Sequence, residues 1–285
     1  MSFADRLAEA VRRKGTLCVG IDPRWQSLPS SIRQQHGDDH ASAISTFCTR
    51  IHELCEPYAG VVKFQSAFFE QLGTAGFAIQ RTLIQHARQM GYLVILDAKR
   101  GDIASTATAY AEAAFGPVWN ADSLTVNPYL GADAVEPFIT SARAASPPRG
   151  LFVLVRTSNP GGGLFQNLDC AGRPLYRHVG DAVAGWNDGG LGTCGYGDVG
   201  AVVGATNPRE LRELREALPQ VWFLVPGYGA QGGTAEDVKA AYRADGLGAI
   251  VSSSRGITFP FHPDDPDWEV KVTAAAKRAA DELRP

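Results

Sequence analysis

The sequence predicts a single-domain (β/α)8 TIM barrel. Eight short apolar, β-branched runs recur along the 285 residues, and a longer segment of helical composition follows each of them. Strands that are apolar at nearly every position are buried on both faces, which is typical of a parallel sheet. Eight such strands alternating with helices favour a closed barrel over an open sheet, in which a glycine-rich motif usually follows the first strand.

The first half of the chain supplies an opening helix and four strand–helix pairs. The opening MSFADRLAEAVRRKG predicts an amphipathic helix. The predicted strands, each a short run rich in Val, Ile, Leu and Phe, cover 16–22, 60–65, 92–99 and 123–128. The predicted helices that follow them cover 41–57, 77–91, 103–116 and 131–145.

The second half repeats this alternation with one long interval. Its predicted strands cover 151–158, 200–206, 221–227 and 248–254, and its helices cover 207–219, 235–244 and 267–284. The segment 159–198 is rich in Gly and Asn and contains a predicted helix at 174–186. We expect this segment to be a lid or an inserted element within the single domain, because long loops in compact domains are usually functional.

Composition excludes several classes of protein. A net charge of −3 offers no basic face for nucleic acid or an anionic membrane, and no apolar run is long enough to span a bilayer. The charged N-terminus lacks the apolar core of a signal peptide. The five cysteines form no CxxC pair, and the six histidines form no HxH or HExxH motif. We therefore expect a cytoplasmic protein with reduced thiols and no histidine-based metal site.

Charged residues cluster at the ends of the first three predicted strands. Asp22 ends strand one, Lys63 ends strand two, and the stretch ILDAKRGDI places Asp97, Lys99 and Asp102 at the end of strand three. Because side chains alternate along a strand, Asp97 and Lys99 are expected to face the same way. Buried charges cost several kcal/mol (roughly) unless they are paired. Active sites of barrels lie at this C-terminal end, so the cluster predicts a catalytic site.

The last two strands predict a phosphate-binding site opposite that cluster. Strand seven runs into PGYGAQGG at 226–233, whose glycines let backbone N–H groups approach an anion. The helix that begins near Thr234 presents its positive end, and Arg255 follows strand eight beside Gln231 and this loop. The GxGxxG pattern alone is a weak dinucleotide signal here, because it follows the seventh strand.

The charge pattern favours decarboxylation over Schiff-base chemistry. A Schiff-base lysine must lose its proton, whereas Asp97 and Asp102 would favour the charged form of Lys99. A charged ammonium beside carboxylates can stabilise a carbanion and then protonate it. No metal or cofactor motif accompanies these residues, so preorganised charge would have to lower the barrier.

These residues resemble the orotidine 5′-phosphate decarboxylase family, and most closely its longer bacterial branch with the DAKRGDI motif. The resemblance spans most of the chain and rests on several motifs in the same order. They are VGIDPR (19–24), VVKFQSAFFE (61–70), LDAKRGDIASTA (96–107), TVNPYLG (125–131), RTSNPGG (156–162), PGYGAQGG (226–233) and VSSSRGI (251–257).

The resemblance implies a cofactor-independent, metal-free conversion of orotidine 5′-phosphate to UMP in pyrimidine biosynthesis. By resemblance, Lys99 stabilises the charge at C6 of the pyrimidine and protonates it, while Asp97 faces the leaving carboxylate. Lys63 links Asp97 to the ribose, and Asp22 binds a ribose hydroxyl. Family members are homodimers with a shared active site, so Asp102 and Thr106 would serve the neighbouring subunit.

The remaining substrate contacts are also assigned by resemblance. Ser158 would read the edge of the pyrimidine. The phosphate would bind Gln231, Gly232 and Arg255, and Pro226 would begin a loop that closes over the ligand. Asn127 is expected to line the site in an unassigned role, and Gln166 and Asn167 are either lid residues or solvated loop.

Two alternatives use the same scaffold. Mg²⁺-dependent sugar-phosphate enzymes of this superfamily, such as keto-gulonate phosphate decarboxylase and hexulose phosphate synthase, resemble the motif at strand three. They carry an acidic residue on strand two, where Lys63 here would repel a metal cation. A non-catalytic binder of phosphate ligands would leave the two lysines and three aspartates unexplained.

Overall fold

The structure, a computed structural model that describes residues 1–229 and 231–285, is a closed barrel of eight parallel strands. The barrel strands are β1 (Leu17–Ile21), β2 (Val61–Gln65), β3 (Leu93–Arg100), β4 (Ser123–Val126), β5 (Gly150–Arg156), β6 (Val199–Val203), β7 (Phe223–Val225) and β8 (Ala249–Ser253). Each pairs with the next, and β8 pairs with β1 to close the barrel. The predicted fold is therefore confirmed.

Helices separate the strands and form the outer layer. The helices of seven or more residues are Phe3–Lys14, Ser30–His36, His40–Cys55, Gly73–Gln89, Ala104–Phe115, Ala132–Ala144, Leu175–Gly185, Pro208–Ala217 and Trp268–Glu282. The shorter ones are Ala67–Glu70, Gly163–Gln166, Ala235–Lys239 and Arg255–Thr258. The helix expected at 235–244 thus ends early, and Ser30–His36 was not expected. None of the described helices is long and apolar enough to cross a membrane.

The segment 159–198 is only partly an insertion. Its helix Leu175–Gly185 packs on β5 and β6 and is the regular barrel helix between these strands. The additional part is a short turn of helix, Gly163–Gln166, followed by a two-stranded hairpin that pairs Asp169–Cys170 with Arg173–Pro174. The expectation that 159–198 is a lid or an inserted element stays a prediction for this turn and hairpin.

The N-terminal helix closes the barrel at the end where the strands begin. Phe3 and Leu7 are buried against the interior side chains of the barrel, and the ring of Phe3 meets Phe152 edge-on with 6.2 Å between centroids. Gly150 is required here, because a Cβ at this position would lie 2.0 Å from the Phe3 ring. This plug leaves the opposite end of the barrel open to solvent.

A buried ion network ties together the same end of the barrel. Asp122 accepts from Arg6 at 2.6 Å, from Arg88 at 2.5 Å and from Arg149 at 2.6 Å, and also from the backbone N–H of Val94. Burial would raise the pKa of Asp122, but the neighbouring arginines outweigh burial and lower it. The network joins the N-terminal helix to the starts of β3 and β4, away from the strand ends that carry the charged motif.

Candidate active site

A cavity of about 480 Å³ opens at the C-terminal end of the barrel. The predicted residues Asp22, Lys63, Asp97 and Lys99 line one side of it. The predicted residues Ser158, Pro226, Gln231 and Arg255 line the other side. The fold therefore brings the acid–lysine cluster and the expected phosphate-binding residues to one cavity.

Asp97 is the centre of the charged cluster. Its side chain is buried, and its Oδ2 accepts from Lys63 Nζ at 2.7 Å while its Oδ1 accepts from Lys99 Nζ at 2.6 Å. Asp22 lies beyond Lys63, with 4.0 Å between its Oδ1 and Lys63 Nζ. The charges thus alternate in space as well as in sequence.

Mutual attraction keeps the buried members of this cluster ionised. Burial would raise the pKa of Asp97, but the ammonium groups of Lys63 and Lys99 outweigh it and hold the pKa well below its usual range. Burial would likewise lower the pKa of Lys63, but Asp97 and Asp22 outweigh it and hold the pKa above its usual range. Asp97 is therefore a carboxylate, and Lys63 an ammonium group, at neutral pH.

The backbone of β3 is irregular where it presents Lys99. The register with β4 shifts between Leu96 and Arg100, and Lys99 adopts a φ of 47°, in the left-handed region that lysine seldom occupies. Its backbone N–H donates to Thr125 Oγ1 at 2.9 Å. Simple alternation along the strand therefore does not explain why Lys99 meets Asp97; a local irregularity of β3 brings them together.

Two neutral side chains also donate hydrogen bonds to Asp97. Neither was predicted from the sequence. Thr125 Oγ1 donates to Asp97 Oδ1 at 2.9 Å, and Gln65 Nε2 donates to Asp97 Oδ2 at 3.2 Å. Both also line the cavity. Lys63 lies inside β2 rather than at its end, where it was expected. Gln65 follows two residues later in the same strand, so both side chains face the barrel interior.

The loop after β7 has the backbone that its glycines predict. Gly227, Gly229 and Gly232 adopt φ values of 97°, 73° and 96°, which other residues rarely adopt. Thr234 caps the following short helix through the N–H of Asp237. Ala230, within the predicted PGYGAQGG motif, lies outside the described residues. Arg255 is exposed at the cavity and begins the short helix after β8.

Four predicted residues lie outside the cavity wall formed by this chain. They are Asp102, Thr106, Asn127 and Gly232. The Oδ1 of Asp102 accepts from the N–H of Ile103 at 2.8 Å, and Thr106 is exposed on the next helix. The Oδ1 of Asn127 accepts from the N–H of Tyr129 at 3.0 Å, and its place in the site stays a prediction.

The cavity carries an excess of positive charge. Its charged lining residues are the cations Arg24, Lys63, Lys99 and Arg255 and the carboxylates Asp22 and Asp97. Four cations against two carboxylates suit an anionic ligand. Across residues 1–229 and 231–285, no three or more His, Cys, Asp or Glu side chains are grouped so that they could hold a metal ion.

Comparison with known proteins gives one consistent result. The model of the orotidine 5′-phosphate decarboxylase / HUMPS family matches residues 15–263. The orotidine 5′-phosphate decarboxylase of Rhodopirellula baltica is 46% identical, with 100% of this chain and 99% of that protein covered.

Solved structures agree with the sequence matches. The OMP decarboxylase of Leishmania donovani has a TM-score of 0.80 at 37% identity, with 99% of this chain and 97% of that chain covered. The UMP synthase of the same organism has a TM-score of 0.82 at 39% identity, and the match covers 99% of this chain and 56% of that longer one. With the barrel and its charged cavity, these matches show that the chain belongs to the orotidine 5′-phosphate decarboxylase / HUMPS family.

Proposed function

We propose that this chain converts orotidine 5′-phosphate to UMP and CO2, in pyrimidine biosynthesis, with no metal or cofactor. The observation that carries the proposal is the buried Asp97, whose two oxygens accept from Lys63 and Lys99 at the floor of a cationic cavity. Full-length relatives that carry the decarboxylase name support the same activity.

The reaction requires charge rather than a covalent intermediate. The bond between C6 and the carboxylate breaks, CO2 leaves, and the electron pair stays on C6 until Lys99 donates its proton there. Asp97 faces the leaving carboxylate, and like-charge repulsion there is relieved as CO2 forms. Because Asp97 and Lys63 are already ordered and paired, little reorganisation is needed during the reaction.

Binding of the distant phosphate supplies part of the stabilisation. Arg255 and Gln231 bind the phosphate, and Gly232, whose N–H donates to the carbonyl of Gly229 at 2.9 Å, shapes the loop that begins at Pro226. Asp22 binds the ribose, and Ser158 reads the pyrimidine. Interactions with non-reacting parts of a substrate can be used to orient and desolvate the reacting part, so this grip raises the rate of the chemical step.

The position of Asp102 and Thr106 supports a homodimer with a shared active site. Both residues lie outside the cavity of their own chain. The loops after β3 and β4 carry three exposed apolar side chains. Ile103 is 54%, Tyr129 83% and Leu130 50% exposed. A second copy would cover this apolar surface and receive Asp102 and Thr106 at its own cavity.

The Mg²⁺-dependent alternative is less compatible with the site. Both oxygens of Asp97 already accept from lysine ammonium groups. A divalent cation bound to this carboxylate would lie within a few ångströms of Lys63, which is buried and has a raised pKa. The donor set therefore favours a metal-free reaction.

The experiment is turnover of orotidine 5′-phosphate by the purified chain in D2O with excess EDTA. We expect the absorbance of the substrate to fall and UMP to appear with deuterium at C6, because the donated proton exchanges with solvent. Orotidine without its phosphate serves as the matched control and should react far more slowly. No turnover, or turnover only after Mg²⁺ is added, would contradict the proposal.

A further inference from the structure

The inserted turn Gly163–Gln166 is joined to the end of β5 by a single side chain. Gln166 Oε1 accepts from the backbone N–H of Thr157 at 3.0 Å and from Arg156 Nη1 at 3.1 Å. Gln166 Nε2 donates to Thr157 Oγ1 at 2.8 Å. One amide thus satisfies three groups on two consecutive residues, so it fixes their backbone as well as their side chains.

Arg156, one of the two residues that Gln166 contacts, also donates to a residue of the loop after β6. Arg156 is 6% exposed, and its Nη2 donates to Asn207 Oδ1 at 2.8 Å. Asn207 Nδ2 donates in turn to the carbonyl of Thr157 at 3.2 Å. A Cβ on Gly162 would lie 2.8 Å from Thr157 Oγ1, so the inserted turn fits closely against this network. The network therefore joins the loops after β5 and β6.

The residue that follows Thr157 is Ser158, which lines the cavity. Its carbonyl accepts from Thr206 Oγ1 at 3.0 Å, and a Cβ on Gly204 would lie 2.7 Å from its Cα. Contacts from the loop after β6 thus fix Ser158, while the bonds of Gln166 to Thr157 fix the chain just before it. Ser158 also lines a second cavity, together with Gln231 and Asn167.

We infer that Gln166 is a positioning residue that holds Ser158 in place to recognise the pyrimidine; this inference rests on the proposed function. It assigns the inserted turn a role in base recognition, separate from the phosphate grip of Arg255. Loss of the amide leaves the Thr157 N–H without its acceptor and removes one of the acceptors of the Arg156 guanidinium, so the loop carrying Ser158 would shift or loosen.

The test is equilibrium binding of UMP and of ribose 5-phosphate, which lacks the base, measured by calorimetry. In Gln166→Ala, we expect UMP affinity to fall about tenfold, the equivalent of roughly one hydrogen bond, while ribose 5-phosphate affinity stays unchanged. Gln166→Glu should retain most of the UMP affinity, because its carboxylate still accepts from Arg156 and the Thr157 N–H.

Asn167→Ala is the matched control, because Asn167 is the next residue of the same turn and also lines the second cavity. It should bind both ligands like the wild type. Equal losses for UMP and ribose 5-phosphate in Gln166→Ala, or no loss at all, would overturn the inference and leave the proposed function intact. A wild-type chain that binds neither ligand would overturn both.

Discussion

Lys99 combines a strained backbone with a fixed side chain. Its φ of 47° is unfavourable for lysine, and the Thr125 hydroxyl and the ion pair with Asp97 hold it there. Residues held in rarely populated conformations cost about 1–3 kcal/mol each and persist where the surroundings over-determine them. Here the strained backbone places the Lys99 ammonium group against the buried carboxylate of Asp97. The Lys99 side chain remains 46% exposed, so a substrate can reach it.

At the residue scale, Arg255 is expected to act through the phosphate alone. Arg255→Ala should lower kcat/KM for orotidine 5′-phosphate by at least about tenfold, because a charge-assisted hydrogen bond contributes about 1.5–3 kcal/mol. The rate with the nucleoside, which lacks the phosphate, should hardly change. Steady-state kinetics on both substrates measure the difference, and equal losses would remove Arg255 from the phosphate site.

The residues around Asp97 show where sequence reasoning succeeds and where it stops. Charged residues in an apolar strand are conspicuous, so Asp97, Lys63 and Lys99 could be found from sequence. Thr125 and Gln65 are ordinary residues for a strand, and only the register of β2, β3 and β4 shows that they face Asp97. A neutral hydrogen-bond partner carries no comparable signal.

At the element scale, the N-terminal helix acts as a plug whose fit depends on a glycine. Because a Cβ on Gly150 would overlap the Phe3 ring, Gly150→Ala should lower the free energy of unfolding by about 1–3 kcal/mol. The same change in a Phe3→Ala background should cost much less, since the ring is gone. Urea denaturation of the four proteins of this cycle measures the coupling.

Gly185→Ala is the control for that cycle. A Cβ at Gly185 would meet nothing within 4 Å, and the residue ends a regular helix. Its free energy of unfolding should stay within about 1 kcal/mol of the wild type. An additive cycle, in which Gly150→Ala costs as much without the Phe3 ring as with it, would contradict the plug.

A second element-scale contact makes stability depend on pH. His52 lies in the helix His40–Cys55, buried against Phe64, with its Nδ1 3.2 Å from Nδ1 of His86. Burial, and then the charge of His86, lower the pKa of His52 from 6.5 to about 3. Between these values the unfolded state binds more protons, so stability falls as the pH falls below about 6.5.

His52→Gln should flatten this pH dependence. From pH 7.5 to pH 5.5, the group removes about 1.4 kcal/mol from the wild type, and the variant should lose that much less over the same interval. Urea denaturation at both pH values measures the difference, and His262→Gln, at an exposed histidine, should behave like the wild type. An unchanged pH dependence in His52→Gln would show that His52 titrates normally.

At the scale of the whole molecule, the two ends of the barrel have different tasks. The N-terminal end carries the plug and the Asp122 network, which lies at the starts of β3 and β4. The C-terminal end carries the strained backbone of Lys99, the ion pair of Lys63 with Asp97 and the glycine-rich loop after β7. Substitutions at the first end should change stability, whereas those at the second should change activity.

The overall architecture was predictable because each barrel strand is an unmistakable apolar run. The insertion was harder, since the residues 160–174 have no apolar periodicity and their hairpin pairs only two residues on each side. The predicted helix at 174–186 agrees within one residue at each end with the observed Leu175–Gly185, but its sequence does not show whether it belongs to the barrel or to the insertion. Only the packing of this helix on β5 and β6 identifies it as part of the barrel.

A shared active site predicts complementation between two inactive variants. If Asp102 serves the neighbouring subunit, Asp102→Ala and Lys99→Ala homodimers should each be nearly inactive. Their heterodimer combines both lesions in one site and leaves the other intact, so about half of the wild-type activity per dimer should return. Chains with different affinity tags allow the heterodimer to be isolated and assayed.

Subunit exchange must be verified by recovery of both tags before the assay. With exchange established, a heterodimer as inactive as its parents would place Asp102 in the site of its own chain. Size-exclusion chromatography with light scattering measures the oligomeric state directly. Tyr129 is 83% exposed in the single chain, so Tyr129→Ser should weaken a dimer that buries this side chain.

The most direct test of the account is the kcat of Lys99→Ala. Asp97 keeps Lys63, Gln65 and Thr125 as partners, so the variant should fold and still bind UMP. Lys239→Ala, at an exposed lysine paired with Glu236, is the control and should keep full activity. We predict that kcat with orotidine 5′-phosphate falls by several orders of magnitude in Lys99→Ala. A folded, UMP-binding variant that keeps more than about a tenth of the wild-type kcat, a loss under ~1.4 kcal/mol, would contradict the central role of Lys99.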